Sequence, residues 1–223
     1  MSEELWTKVD EYLAERLIPL DAALTAAREA NAEAKLPAID VSPTQGKFLY
    51  LLAKIQNARR ILEVGTLGGY STIWLARALP EVGRLITLEI EKRHADVALK
   101  NIERAGVAGK VELRLAPAAE SLAKLVKEGT EPFDFIFIDA DKPNNPVYLE
   151  WALQLARPGT IVVVDNVIRD GAIVDAGSED ASVQGTRRLF DLMAANPRLD
   201  ATALQTVGIK GYDGFVVAVV REA

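Results

Sequence analysis

The sequence has no cysteine and a single histidine, His94, among its 223 residues. Without cysteine there is no disulfide, no thiolate metal site and no thiol nucleophile, which fits a reducing compartment. One histidine removes every mechanism that needs a histidine pair, and all histidine-rich metal centres. No run of eighteen apolar residues occurs, so no membrane-spanning helix is expected. The opening MSEELWTKVDEYLAERL is acidic and amphipathic. It lacks the basic region and apolar stretch of a signal peptide, so a cytoplasmic location is expected. Positive charge is in the minority, with 26 Lys and Arg against 32 Asp and Glu, a net charge of −6. That balance weighs against broad binding to a phosphate backbone and leaves room only for a local basic patch. Hydrophobic residues at 49% and charged residues at 26% are ordinary globular values and exclude a disordered chain. A chain of this length buries a sizeable core as one domain, without cross-links.

The order of elements follows from periodicity and punctuation. Glu3 to Leu17 carries Leu5, Val9, Tyr12, Leu13 and Leu17 near helical spacing, and Pro19 ends it. An Ala-rich stretch from Asp21 to Lys35 reads as a second helix. Ser42-Pro43-Thr44-Gln45 joins a cap, a proline at the first position and Gln three residues after the cap, so a helix to about Asn57 is expected. Five strand-then-helix units follow: strands Arg60–Val64, Arg84–Glu89, Val111–Leu115, Phe133–Asp139 and Thr160–Asp165, with helices Tyr70–Leu79, Glu91–Ala105, Ala118–Lys127, Pro146–Ala156 and Val183–Ala195. Such alternation specifies a parallel sheet covered on both faces. Two further strands, Thr202–Val207 and Gly214–Val220, are separated by a loop too short for a crossover helix. The last strand is therefore expected to run antiparallel in a seven-stranded α/β sheet.

Four strands end in an acid: Glu63, Glu89, Asp139 and Asp165. In an open α/β sheet, ligands bind beyond the carboxyl ends of the strands, so carboxylates in register there face a binding crevice. The turn after the first strand reads Gly65-Thr66-Leu67-Gly68-Gly69. Its glycines allow close backbone approach and positive φ. The spacing is neither G-x-G-x-x-G nor a phosphate loop ending in G-K-S/T, so a dinucleotide or a nucleoside triphosphate is not indicated. Glu89, 24 residues after Gly65, stands where an acid accepts hydrogen bonds from both hydroxyls of a ribose. An adenosine-type ligand with a cationic centre suits this acidic crevice.

These features together resemble the class I methyltransferases that use S-adenosylmethionine (SAM), with a Rossmann-like fold. More narrowly, the chain is similar to the metal-dependent O-methyltransferases of the catechol and caffeoyl-CoA type. The residues that carry the likeness are VSPTQGKFL (41–49), LEVGTLGGYST (62–72), Glu89, FDFIFIDADK (133–142), VVVDNV (162–167) and GYDGF (211–215). The resemblance covers the chain from about residue 38, giving a catalytic core over 38–223. Residues 1–37 fit a variable lid and oligomerisation region, and relatives of this type are commonly homodimers. The resemblance implies that Val41, Glu63, Gly65, Thr66 and Ser71 line the methionine part of SAM. Glu89 would bind the ribose, Ala118 the adenine, and Asp139 and Asp141 would complete the cofactor site. It also implies that Asp139, Asp165 and Asn166 ligate one divalent metal and that Lys142 is the general base. Arg169 and Asp170 would approach the substrate, although Asp170 stands where the family often has Asn.

The residue types suit those roles. Two carboxylates and an amide oxygen form a hard, oxygen-only set, fit for Mg²⁺ and acceptable to Mn²⁺ or Ca²⁺. Three protein ligands leave positions for two adjacent hydroxyls of a small phenolic acceptor and a water. The polar segment from Gly171 to Gln184 reads as a mobile loop at the substrate mouth. His94 lies in a charged helix and is expected to be exposed; Trp6, Trp74 and Trp151 are expected to pack. A second reading, methylation of hydroxyuridine in tRNA, draws on RNA-modifying bacterial relatives and would need Arg59, Arg60, Lys92, Arg93, Lys100 and Arg104 to form a basic strip. The third is a cofactor-binding module without catalysis, against which the intact Asp139, Lys142, Asp165 and Asn166 set argues.

Overall fold

The computed structural model describes residues 2–222. Three helices, α1 (Glu3–Leu17), α2 (Ala22–Glu33) and α3 (Pro43–Ile55), precede the sheet. The core then alternates β1 (Arg60–Val64), α4 (Tyr70–Ala78), β2 (Arg84–Glu89), α5 (Lys92–Arg104), β3 (Val111–Leu115), α6 (Ala118–Lys127), β4 (Phe133–Ile138), α7 (Asn145–Gln154), β5 (Ala156–Asp165) and α8 (Ala181–Ala195). It closes with β6 (Leu199–Gly208) and β7 (Gly211–Val220). The seven strands form one sheet in the order β3-β2-β1-β4-β5-β7-β6. Neighbours from β3 to β5 are parallel, and β7 runs antiparallel to both β5 and β6. The order reverses beside β1, which opens a crevice at the carboxyl end of β1 and β4.

Side chains alternate between two separate cores. Leu62, Val64, Ile136, Ile138, Val162 and Val164 pack with residues of α6, α7 and α8 on one face. Ile61, Phe135, Phe137 and Val163 pack with α3, α4 and α5 on the other. Because the strands are parallel and in register, one face also collects the acids. Glu63 stands opposite Thr87 and Phe137, and Ile138 opposite Val164, so Asp139 and Asp165 follow as the next adjacent pair. With a period of two, Glu89, Glu63, Asp139 and Asp165 all belong to the α3–α5 side.

Some boundaries differ from the periodicity. β5 starts at Ala156, four residues early, because the Thr160 hydroxyl accepts from Arg157 N (2.9 Å) and donates to Phe133 O (2.6 Å). Those bonds carry the strand across Pro158-Gly159, with a register shift against β4 between Phe133 and Phe135. The segment 171–184 is shorter as a loop than expected. A 3₁₀ turn occupies Arg169–Val174, and α8 begins at Ala181, where the Asp180 carboxylate caps Ser182 N and Val183 N. The β6–β7 connection is a two-residue hairpin at Ile209-Lys210, so both strands run longer than their apolar cores suggested. Among the described residues, no helix is long and apolar enough to cross a membrane.

Candidate active site

Two loops with left-handed backbone frame the crevice. In the first, Gly65 adopts φ +100°, and a Cβ there would lie 2.1 Å from the Asp139 carbonyl oxygen. Only glycine lets the β1 loop pass over the end of β4. Leu67 is also left-handed (φ 49°), and its N–H donates to the Glu89 carboxylate at 2.8 Å. The other oxygen of Glu89 accepts from Ile90 N (3.0 Å) and Glu91 N (2.9 Å). Glu89 therefore fastens the glycine loop and keeps acceptor capacity on the oxygen that holds Leu67. His94 departs from expectation: it is half-buried, with Nδ1 3.4 Å from Glu89 Oε1. The first turn of α5 carries the ring back onto the end of β2.

Glu63 is sealed beneath the loop. Its carboxylate accepts from the hydroxyls of Ser71 (2.6 Å), Thr72 (2.5 Å) and Thr87 (2.6 Å). Burial pushes its pKa up to about 7 despite these three donors, and the Asp139 charge adds to the rise. Thr66 is likewise turned inward, with its hydroxyl 2.6 Å from that of Thr87. Glu63 and Thr66 thus build the floor of the loop, while Ser71, half-buried, is the member nearer the crevice. Ala118 is the first residue of α6, in the turn after β3. Val41 is buried just ahead of α3, whose first turn is capped by Ser42.

At the ends of β4 and β5 lie the two carboxylates and the lysine. Lys142 is buried (8% exposed), and its Nζ donates to Asp139 Oδ1 at 2.7 Å. Asp165 is 4% exposed. Burial first, and the Asp139 carboxylate second, push its pKa up to about 7, against the opposing pull of Lys142 and a hydrogen bond from Asn166 N (2.9 Å). Asn166 follows with φ 55°. Asp141 is exposed and is bound by Asn144 Nδ2 (2.5 Å) and by the Tyr148 hydroxyl. Among the described residues, no three His, Cys, Asp or Glu side chains gather as a metal cluster. The donor set is two carboxylates plus an amide. A buried carboxylate, Asp165, beside the half-buried Asp139, whose partner is the Lys142 ammonium, forms a site that a small dication fits. Arg169 is half-buried with its Nε unpartnered, and Asp170 is exposed; both are left-handed.

Sequence reasoning missed several contributors. Asn101 donates to the Gly68 carbonyl (2.9 Å) and to Asn31 (3.1 Å), which in turn donates to Asp40 (2.9 Å). These are long-range contacts, with no local spacing to announce them. The six basic residues are spread over both ends of the sheet. Arg59 precedes and Arg60 starts β1 at the amino end of the sheet, Lys92 and Arg93 follow β2 at its carboxyl end, about 17 Å away for five strand steps, and α5 carries Lys100 and Arg104 back from there. Arg60 pairs with Glu131 (3.3 Å) and Lys92 with Asp96 (2.7 Å). A cavity of about 890 Å³ lies elsewhere, between the end of α1, α2 and α4, and is lined by none of Glu89, Asp139, Lys142 or Asp165.

The sequence and the fold have known counterparts. The family described as O-methyltransferase matches residues 16–218. The chain is 54% identical over 221 residues to a catechol O-methyltransferase of Niastella koreensis, covering 99% of this chain and 100% of that one. An O-methyltransferase from Bacillus cereus in complex with SAH superposes with a TM-score of 0.98 at 60% identity, covering 99% of this chain and 100% of the other. One from Streptomyces achromogenes in complex with SAM gives 0.96 at 50% identity, with full coverage of both.

Proposed function

The chain belongs to the O-methyltransferase family and is a SAM-dependent enzyme of it, and we propose that it methylates one hydroxyl of a small vicinal dihydroxy-phenol held by a divalent cation. The observation that carries this reading is the arrangement of the half-buried Asp139 with the buried Lys142 and Asp165, which sits one strand from the glycine loop. The catechol O-methyltransferase name of the Niastella relative supports the acceptor class.

Asp139, Asp165 and Asn166 would hold the cation, Mg²⁺ by the hardness of the donors, with Mn²⁺ or Ca²⁺ acceptable. When bound, such an ion fixes two neighbouring hydroxyls and favours ionisation of one. Glu89 would hold the ribose of SAM, with the glycine loop and Ser71 along its methionine part. Ala118 would lie against the adenine, and Asp141, steadied by Tyr148, near the amino group. Lys142 now occupies the place beside Asp139 where positive charge is required. In its neutral form, after releasing a proton to solvent, Nζ would take the acceptor's hydroxyl proton. The oxygen then attacks the methyl carbon as the carbon–sulfur bond breaks, giving a methyl ether, SAH and a protonated Lys142. Positive charge on sulfur and negative charge on oxygen cancel as the methyl moves, so alignment supplies much of the acceleration. Arg169 and Asp170 would approach the acceptor.

A homodimer is part of this reading. α1 buries none of its own residues and exposes Leu5, Val9, Tyr12, Leu13 and Leu17, an apolar stripe suited to a second copy. The test of function compares catechol with phenol under saturating SAM and Mg²⁺. The reading expects turnover of catechol and negligible turnover of phenol; equal rates would sink the two-hydroxyl recognition. Methyl transfer to total tRNA under the same conditions would favour the RNA reading.

A further inference from the structure

We propose that Asp213, on β7, is a positioning residue for the metal-binding turn: its carboxylate holds the chain leaving β5 in the left-handed path that presents Asp165 and Asn166 together. This rests on the metal reading above. Of the six non-glycine residues with positive φ among the described residues, three fall between 166 and 170: Asn166 (φ 55°), Arg169 (φ 54°) and Asp170 (φ 55°). Gly171 continues at φ 84°. Such a run is strained for L-residues and persists only where its surroundings hold it.

The holding group is identifiable. The antiparallel ladder between β5 and β7 ends at Asp165 opposite Phe215, with one further bond from Val167 N to Gly214 O (3.0 Å). Beyond it, the N–H groups of residues 168 and 169 have no strand carbonyl. Asp213 Oδ1 takes both, from Ile168 N at 2.9 Å and Arg169 N at 3.1 Å, and also accepts from Gly214 N at 2.9 Å. Its other oxygen lies 3.8 Å from the Arg169 guanidinium. One carboxylate thus replaces the missing rungs of the sheet. Gly214 must be glycine for the approach, since a Cβ there would lie 2.1 Å from Leu204 O and 2.6 Å from Ile168 Cγ1. The Asp-Gly pair in GYDGF is therefore explained by the turn it serves. The same device appears across the crevice, where Glu89 from β2 holds the left-handed Leu67 of the glycine loop. Each loop of the site is pinned by an acid from a strand other than the one it follows.

The full-length protein is assayed for Mn²⁺ affinity by the electron paramagnetic resonance signal of the free ion, and for SAH affinity by calorimetry. Asp213→Ala is expected to weaken Mn²⁺ binding by about 10- to 100-fold, the usual loss when a group orienting a metal ligand is removed. SAH affinity should be unchanged, and the Mn²⁺ concentration for half-maximal rate should rise while kcat at saturating Mn²⁺ is retained. Asp213→Asn keeps an amide oxygen for the same three N–H groups and should recover Mn²⁺ affinity. If the alanine variant does not fold, Asp213→Glu takes its place: it keeps the charge, moves the oxygens by one methylene, and should show the same loss. Wild-type Mn²⁺ affinity in these variants, or an asparagine variant as weak as alanine, overturns the proposal. Failure of the wild-type protein itself to bind Mn²⁺ overturns the metal reading instead.

Discussion

Replacing Glu63 by Gln should stabilise the protein above neutral pH and leave it nearly unchanged in acid. Glu63 is fully buried, and three hydroxyls donate to it, from Ser71, Thr72 and Thr87. Those donors do not offset burial, which lifts its pKa from the ordinary 4.5 to about 7. The folded state therefore binds the Glu63 proton more tightly than the unfolded state. Below about 4.5 both states are protonated and the residue costs nothing. As pH rises toward about 7 the unfolded chain releases the proton first, and stability falls across that window. The shift spans two and a half pH units at about 1.4 kcal/mol each, so the loss is about 3 kcal/mol and is complete above pH 7. Glutamine is nearly isosteric and never charges, and the surrounding hydroxyls can turn to accept from its amide. Urea unfolding of both proteins from pH 4.5 to 8.5, taken as a difference, cancels every other titrating group. The difference should grow with pH to about 3 kcal/mol in favour of Glu63→Gln. A constant difference across the range would refute the reasoning, because Glu63 would then titrate alike in both states.

Divalent-metal affinity should fall in acid, because Asp165, whose pKa is raised to about 7, must be ionised to ligate. Mn²⁺ titrations between pH 5.5 and 8 should weaken by about tenfold per unit below 7 and level off above it; a flat profile would contradict the assignment. Gly185→Ala should impair catalysis from outside the crevice. A Cβ on Gly185 would lie 2.3 Å from Lys142 O and 2.6 Å from Pro143 Cα, both backbone, so α8 or the Lys142 turn must move. The expected cost is about 1–3 kcal/mol in unfolding free energy, with kcat reduced more than SAM affinity. Unaltered stability and kcat would show that the contact relaxes freely.

The strands β1 and β2 fall where apolar runs bounded by turn residues place them, because such runs have only one burial solution between two helical layers, and the edge strand β3 falls where its alternating VELRL pattern places it. The acids of the site were legible for a related reason: a charge at the end of a buried strand needs a ligand or a partner. What those acids touch was less so. Glu63 reads as a crevice residue, yet its carboxylate turns to Thr87, the residue opposite it on β2, a pairing fixed only by strand register. His94 reads as a surface residue of a charged helix, but the helix begins so close to Glu89 that its first turn folds the ring onto that acid. The early start of β5 depended on the Thr160 side chain standing in for backbone, which no propensity scale contains. Asp213 belonged to a recognisable motif whose purpose appears only when β7 is seen beside the chain leaving β5.

The most direct test of the account is transfer of a labelled methyl group from SAM to catechol, run in parallel with Mg²⁺ and with EDTA. Asp139, Lys142 and Asp165 as arranged here predict a monomethylated product with Mg²⁺ and none with EDTA, with activity returning when Mg²⁺ is restored. Undiminished methylation in EDTA would contradict the metal role of Asp139, Asp165 and Asn166, and with it the mechanism built on them.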